Sequence, residues 1–353
     1  MISLKFRHGQ AGISLLEILI ALSLGAFMLV GIISLMASVS ATRTELARSS
    51  EQIENGRYAV QIITDDVSKA GYFGPYFRLN PNRSNPDPCD DDSTLSDLGF
   101  AYAANPTLPT AIAGVASGTA VPDCITNPRY AAGTTTVNAE VLIVRHASPA
   151  PTPIASAVDG VPYMQVSLCD DEDDFKFSNV VSDLDLTGKD CSTVQPVWSY
   201  ESRAYYVARC DDCSNGGDGI PTLKMVEFAN GVIGSAVSLV EGVEDMHVEY
   251  GMDLDASPDG VPDCYVDDPT ADTAPAGCAV TAAWSADDAT NWSNVVSVDV
   301  WFLVRSSEEY ANWNDTRTYD LGRASRSGPF NDGFKRKVLK ASIMLQNISG
   351  PRG

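Results

Sequence analysis

The chain has 353 residues, with 46 acidic and 24 basic side chains and a formal net charge of −22. A surface this negative repels phosphate backbones, which argues against a nucleic-acid partner. With 44% hydrophobic and 8% aromatic residues, the composition is that of a folded protein and excludes a disordered tail.

The first predicted element is an apolar stretch that follows a basic leader. The leader carries Lys5, Arg7 and His8, and the twenty residues 18–37 are uncharged. Twenty helical residues cover about 30 Å, which is the thickness of the hydrocarbon core of a bilayer. Because Lys and Arg stay on the cytoplasmic side, we expect a single-pass inner-membrane anchor with the rest of the chain in the periplasm.

A secretory signal peptide is the alternative interpretation of this stretch. Small residues follow it at positions 36–41, where a signal peptidase could cut. However, the apolar region of a signal peptide is shorter, about 7–15 residues. Glu17, at the edge of the span, also indicates a functional role, because a carboxylate in lipid is costly and needs a partner.

The junction Gly12-Ile13-Ser14-Leu15-Leu16-Glu17 resembles the class III signal of type IV pilins and pseudopilins. The resemblance implies that a prepilin peptidase cuts after Gly12 and methylates the new N-terminus at Ile13. It also implies that Glu17 pairs with the N-terminal amine of an adjacent subunit during assembly. The sequence departs from the family pattern at Ile13, where most members have Phe, and at Ser14, where many have Thr.

The helical pattern continues beyond the membrane stretch. Apolar residues fall seven apart, at Leu46, Ile53, Val60 and Val67, with Ala59, Ile63 and Ala70 near the same face. This spacing predicts an amphipathic helix with one buried stripe, which stops near Gly71. We expect one continuous helix after the leader 1–12, with residues 13–41 in the membrane and residues 42–72 on the head. Two helices broken near residues 38–42 are the alternative.

The head, residues 73–353, is predicted to be rich in β-strands. The stretch 75–133 is rich in Pro, Asn, Asp and Gly and predicts a long loop. Runs of apolar or alternating residues predict strands at 141–144, 204–208, 223–228, 245–250, 295–304 and 338–346. The fold class is therefore α+β, with the long helix packed on an antiparallel β-sheet head that has long disulfide-held loops.

The sequence makes further predictions for two of these strands and for the basic triplet before the last one. Val295–Val304 is apolar on both faces, so it is predicted to be a central strand with the helix over one side. Asp245–Tyr250 alternates, so it is predicted to be half-buried, with Asp245, His247 and Glu249 facing away from the core. The basic triplet 335–337 is interpreted as the solvated start of a strand.

All cysteines lie beyond the membrane stretch, at Cys89, Cys124, Cys169, Cys191, Cys210, Cys213, Cys264 and Cys278. An even number in an exported region predicts disulfides. We expect sequence neighbours to pair, 89 with 124, 169 with 191, 210 with 213 and 264 with 278, because each pair brackets an irregular stretch where a cross-link supplies stability that packing cannot. Cys210 and Cys213 have the spacing of a redox motif, but the two carboxylates between them disfavour a thiolate.

Later segments are similar to one branch of the pilin class, the PilW family of minor type IV pilins. The segments are 54–59, 70–72, 239–245, 248–251 and 300–305. The likeness covers both ends of the chain and thins out between residues 75 and 200. The family brings no catalytic residues.

Enzyme signatures are mostly absent from the sequence, and we expect no enzymatic activity. After removal of the leader only His146 and His247 remain as bases that act near neutral pH, and each is interpreted as a strand residue. Asp253, Asp255 and Asp259 place oxygen ligands at alternating positions before Gly260, which suggests a calcium site. An exposed acidic turn without an ion fits the same residues, and no other cofactor is expected.

These features together predict a minor type IV pilin that helps to initiate pilus assembly, in a tip complex, because the long loops would crowd a filament shaft. Its expected partners are other minor pilins, the major pilin, prepilin peptidase and a tip adhesin. It would reside in the inner membrane and then in a surface pilus that serves twitching motility, adhesion or DNA uptake. The alternatives are a pseudopilin of a type II secretion system, a minor pilin acting as an adhesin, and an anchored periplasmic enzyme.

Overall fold

A computed structural model describes residues 14–75, 82–90, 96–101, 107–129, 139–270, 274–275, 278 and 284–350. The leader, with Gly12 and Ile13, lies outside the described residues, as do parts of the predicted loop between Pro75 and Gly133. The contact pattern divides the chain into two compact units between Glu51 and Gln52.

Helix α1, Leu15–Val67, is continuous through residues 38–42, so the alternative of two broken helices is wrong. Its first part is long and apolar enough to cross a membrane. All residues from Ser14 to Ala47 are exposed, including large apolar side chains such as Phe27, which is 78% exposed. Surface of this kind is stable only against lipid or other protein.

The head-side part of α1 has one buried stripe, which confirms the prediction at Ala59, Ile63 and Val67 and corrects it nearer the membrane stretch. Buried residues recur at spacings of three and four, at Gln52, Gly56, Ala59, Ile63, Asp66 and Val67. Leu46 is 65% exposed, and Ile53 and Val60 are only half-buried. The prediction is wrong at Leu46, Ile53 and Val60 because apolar spacing alone gives no weight to a buried glycine or to a buried, hydrogen-bonded polar residue.

An eight-stranded sheet forms one part of the head. Its main path runs β10–β8–β7–β4–β3, with β5 beside β7, β6 beside β5 and β9 beside β8. The strands are β3 (Ile112–Val115), β4 (Val141–Ala147), β5 (Tyr163–Val166), β6 (Phe175–Ser178), β7 (Trp198–Ala208), β8 (Thr222–Ala229), β9 (Val232–Ile233) and β10 (Val237–Glu241). β7 and β8, which contain the predicted strands 204–208 and 223–228, pair antiparallel.

The predicted long loop contains a strand of the sheet. Strand β3 lies inside the stretch 75–133 and pairs with β4. Its four residues include Gly114 and are too few to show a period, so composition dominated the prediction. Two further short strands in this stretch, β1 (Asn82–Ser84) and β2 (Thr107–Pro109), form a small parallel sheet.

A four-stranded antiparallel sheet forms the other part of the head, in the order β12–β11–β13–β14. The strands are β11 (Val243–Met252), β12 (Cys264–Val266), β13 (Val295–Arg305) and β14 (Arg336–Met344). β13 is central and almost wholly buried, as its two apolar faces predict. β11 is also buried on its polar side, so the prediction of a half-buried strand is wrong.

The two sheets and the head-side part of α1 share one hydrophobic core. Ile63 of the helix, Val144 of the larger sheet and Val300 of the smaller sheet belong to the same buried cluster. The sheets approach closely at Gly114, where an added Cβ would lie 1.9 Å from the hydroxyl of Tyr250. The α+β fold is therefore as predicted, but the head has two packed sheets where one was expected.

Short elements and disulfides complete the described structure. Two small helices, α2 (Asp288–Ser293) and α3 (Gln346–Ser349), lie before β13 and after β14. All eight cysteines form disulfides between sequence neighbours, Cys89–Cys124, Cys169–Cys191, Cys210–Cys213 and Cys264–Cys278. Each bridge closes one of the irregular stretches named in the sequence analysis.

Candidate functional site

The first candidate assembly residue, Glu17, lies in the first turn of α1 and is exposed. One oxygen of its carboxylate accepts a hydrogen bond from the backbone N–H of Ser14 at 3.1 Å. This contact resembles an N-cap and suits the start of a helix, where N–H groups lack partners. Gly12 and Ile13, the predicted processing residues, lie outside the described residues.

The head-side part of α1 is held to the smaller sheet by polar contacts. The side-chain amide of Gln52 donates to the carbonyl oxygens of Val304 at 2.6 Å and Lys335 at 2.9 Å. Gly56 lets the helix backbone approach β14, because a Cβ there would lie 2.6 Å from Leu339 Cδ1. The helix therefore docks on the sheet through a buried amide and a residue with no side chain.

The end of α1 is fixed to the larger sheet by Asp66. Its carboxylate accepts a hydrogen bond from the Tyr205 hydroxyl at 2.9 Å, contacts His146 Nε2 at 3.1 Å and pairs with Arg203. Burial raises the pKa of Asp66, but the hydrogen bond with His146 and the charge of Arg203 outweigh burial and hold the pKa below its ordinary value. His146 is therefore a buried strand residue with a structural partner.

A second buried charge cluster surrounds Arg336 at the start of β14. The guanidinium pairs with Glu244 and Asp332, and its Nη1 lies 3.2 Å from Asp315 Oδ2. Burial lowers the pKa of Arg336, but hydrogen bonds and charge attraction to Asp332 and Glu244 raise it by more than burial lowers it. The net pKa lies above the ordinary value, so Arg336 remains a cation. The prediction of a solvated basic triplet is therefore wrong at Arg336, which is 3% exposed.

A third cluster closes the free edge of β11. The Glu140 carboxylate accepts from the backbone N–H of Val248 at 2.9 Å, and Arg323 donates to the carbonyl of Met246 at 2.7 Å. Arg323 also donates to Glu140 at 2.8 Å and to Asp245 at 2.8 Å. These side chains take the place of a neighbouring strand along this edge.

The same cluster holds His247. Its Nδ1 lies 3.0 Å from both oxygens of Glu140, and the ring lies against Trp301 with 5.4 Å between centroids. Glu140 directly precedes β4, so this contact ties the larger sheet to the smaller one. The interpretation of His247 as a strand residue is correct, but the ring is buried and does not face solvent.

The three predicted calcium ligands lie close together after β11. Asp253 is buried and accepts from the backbone N–H of Gly260 at 2.8 Å, whereas Asp255 and Asp259 are exposed. One oxygen from each lies within 4.8 Å of the others. Repulsion from Asp263, then burial and repulsion from Asp259 and Asp253, raises the pKa of Asp255. Such a cluster is compatible with a calcium ion or with an acidic turn, so the calcium site stays a prediction.

The buried charges along the polar side of β11 and at the start of β14 were not predicted from the sequence. Glu140 and Arg323 each stand alone in the sequence and match no motif, and Arg336 lies in a basic triplet that was interpreted as solvated. One signal was available, since the segment 239–245, which carries the family resemblance, places Glu244 and Asp245 next to each other. Adjacent acids in a predicted strand cannot both face the same side, and a buried cationic partner for one of them could have been inferred.

The comparisons with known proteins agree with the resemblance. Residues 204–347 match the family model PilW, described as type IV pilus-assembly protein W. The match confirms the predicted PilW resemblance and supports involvement in type IV pilus assembly. It begins within β7 and covers the whole four-stranded sheet. None of the curated proteins or solved structures with which the chain was compared matches it.

Proposed function

We propose that this chain, whose residues 204–347 match the PilW family model of type IV pilus-assembly proteins, is a minor type IV pilin that helps to initiate assembly from a tip complex. One observation carries the proposal. A prepilin-type junction, residues 12–17, opens a helix that begins apolar and exposed and ends inside the head that contains the PilW region.

The contacts between helix and head support this proposal. Gln52 and Gly56 meet Val304 and Leu339, and both partners lie inside the matched range 204–347. The PilW region therefore includes part of the surface on which the head-side part of α1 rests. A pilus-assembly match also favours a pilus subunit over a pseudopilin of a secretion system. The proposed role is structural, not enzymatic.

The disulfides support a location outside the cytoplasm. Four bridges in one chain are stable only in an oxidising compartment such as the periplasm. We place the chain first in the inner membrane, with a periplasmic head, and then at the end of a surface pilus. Prepilin peptidase, other minor pilins, the major pilin and a tip adhesin are its proposed partners, and adhesion is a second role that the end position would allow.

Glu17 supplies the test of assembly. Its carboxylate is exposed at the start of an apolar helix, where a neighbouring subunit's N-terminal amine would neutralise it in lipid. Glu17→Ala should leave processing intact and reduce recovery of the protein in sheared pili at least about tenfold, which corresponds to a loss of about 1.4 kcal/mol. Quantitative immunoblotting of sheared pili and of the membrane fraction measures both.

The matched control is Glu45→Ala, an exposed acid on the same helix beyond the apolar stretch. It should leave recovery in pili close to that of the unmodified chain. Equal recovery for the two variants would contradict the proposed pairing of Glu17. Absence of the unmodified protein from sheared pili, with normal pilus number after deletion of the gene, would contradict the minor-pilin proposal itself.

A further inference from the structure

The His247 ring presents one nitrogen that its own surroundings do not satisfy. An oxygen of Glu140, which also pairs with Arg323, lies 3.0 Å from Nδ1 as a hydrogen-bond acceptor, so Nδ1 carries the proton and donates it. The opposite nitrogen, Nε2, is then an acceptor with a free lone pair. The residue is 1% exposed, and Nε2 has no hydrogen-bond partner among the residues that the structure describes.

Two carboxylates lie in front of this nitrogen. Glu249 Oε1 is 3.9 Å and Asp267 Oδ1 is 3.7 Å from Nε2. Both distances are too long for hydrogen bonds. The three ligand atoms lie within 4.8 Å of one another. The group opens towards solvent on the Asp267 side, since that side chain is 60% exposed and the Glu249 side chain is 21% exposed.

The strand register concentrates negative charge at this point. Glu249 of β11 lies opposite Asp299 of β13. On its other side, Val266 of β12 pairs with Tyr250, and the next residue is Asp267. Like charges on neighbouring strands are destabilising. Lys340 compensates Asp299 at 2.6 Å, but in the described part of the chain no lysine or arginine forms an ion pair with Glu249 or Asp267.

The ring itself is held in place. Trp301 lies against one side of it, and the Gly322 backbone packs so closely that an added Cβ would lie 3.2 Å from His247 Cδ2. Glu140 fixes the rotation of the ring through Nδ1. A histidine oriented by a carboxylate on one nitrogen, with the other nitrogen aimed at two acids, is the arrangement found around protein-bound transition metals.

We propose that His247, Glu249 and Asp267 bind a divalent transition-metal ion, with Zn²⁺ as the best fit, and that Glu140 positions the imidazole. In a tetrahedral zinc site with bonds of about 2.0–2.2 Å, neighbouring ligand atoms are about 3.3–3.6 Å apart. The two distances from Nε2, 3.7 and 3.9 Å, need to shorten by a few tenths of an ångström, and the two carboxylate oxygens lie within 4.8 Å of each other. The imidazole favours Zn²⁺ over Ca²⁺ or Mg²⁺, and a water molecule would complete the site.

The experiment uses the full chain purified in detergent and freed of metal with a chelator. Calorimetric titration with Zn²⁺ should give one site per chain. Titration with Co²⁺ should give the visible absorption of a four-coordinate ion. Asp267→Asn and Glu249→Gln should each weaken Zn²⁺ binding at least about tenfold and reduce that absorption. A tenfold excess of Ca²⁺ should not displace the Zn²⁺.

Asp185→Asn is the matched control. Asp185 is also an exposed aspartate, 68% against 60% for Asp267, but it pairs with Lys176 beside the larger sheet. It should leave Zn²⁺ binding unchanged. Circular dichroism should show that all three variants are folded. The proposal is overturned if the folded wild-type chain does not saturate with Zn²⁺ up to millimolar concentration, or if Asp267→Asn and Asp185→Asn bind equally well.

Discussion

The two parts of helix α1 have opposite surroundings although they form one continuous element. From Ser14 to Ala47 every residue is exposed, and the uncharged stretch 18–37 within this part is apolar on all sides. From Gln52 to Val67 a single stripe is buried against the head. A single buried stripe indicates that the helix packs against one partner in a fixed orientation. A helix surface that is apolar on all sides indicates contact with lipid or with several neighbours. The difference separates the residues that build the subunit from those that would join it to others.

An acid near each end of the helix makes the comparison concrete. Glu17 is exposed and is bonded only to the backbone of its own first turn among the described contacts. Asp66 is 3% exposed and contacts His146, Arg203 and Tyr205 of its own head. Asp66 therefore stabilises its own head, whereas the proposed partner of Glu17 belongs to a neighbouring chain.

Replacing Asp66 should have the largest effect on the stability of the head. Asp66→Asn leaves Arg203 without its buried partner, and we expect the free energy of unfolding to fall by about 3 kcal/mol at pH 7. Urea unfolding of the detergent-solubilised chain measures the loss. Glu17→Ala is the control and should leave the midpoint unchanged, because its side chain is exposed. Equal midpoints for wild type and Asp66→Asn would contradict the distinction between the two acids.

Asp66 also predicts a dependence on pH. Its pKa in the folded chain lies below the ordinary value of 3.8. A carboxyl with a lowered folded pKa adds stability above its unfolded pKa and loses it as the pH falls through the folded pKa. The difference between wild type and Asp66→Asn should therefore be full at pH 7 and shrink below about pH 4. A difference that is constant from pH 7 to pH 3 would contradict the assignment.

Substituting one glycine in each part of α1 tests the same comparison, with a smaller expected effect on stability. Gly56→Val places side-chain atoms against Leu339, where even a Cβ would be 2.6 Å away, and overpacking should cost about 1–3 kcal/mol. At Gly25 an added Cβ meets nothing within 4 Å, so Gly25→Val should not lower the unfolding midpoint. Thermal unfolding followed by circular dichroism compares the variants. A midpoint for Gly56→Val as high as that of Gly25→Val would show that the helix does not dock as described.

The smallest expected effect concerns calcium at Asp253, Asp255 and Asp259. If the ion binds the folded chain alone, calcium at ten times its Kd should stabilise the head by about 1.4 kcal/mol. Asp255→Ala should abolish that gain without loss of stability in chelator, because the side chain is exposed. A melting temperature that does not change at millimolar calcium would remove this prediction.

The fold could be predicted where the residue pattern of a single strand or helix is sufficient to identify that element. Val295–Val304 is apolar on both faces, and that alone indicates a central strand. The outer side of β11 could not be predicted in the same way. Its covering groups, Glu140 and Arg323, lie far away in the sequence, and alternation looks the same whether the polar side faces water or a buried ion network. The candidate metal ligands remained unrecognised for the same reason, since Asp267 reaches His247 only through strand pairing.

The central claim is that this chain is processed as a prepilin and enters a pilus. The most direct measurement is mass spectrometry of the protein's N-terminal peptide from sheared pili. The account predicts a peptide that begins with N-methylated Ile13 in the wild type. It predicts an unprocessed chain, confined to the membrane fraction, for Gly12→Val, and normal processing for Gly25→Val. Recovery from pili of wild-type protein that still carries residues 1–12, or of processed Gly12→Val protein, would contradict it.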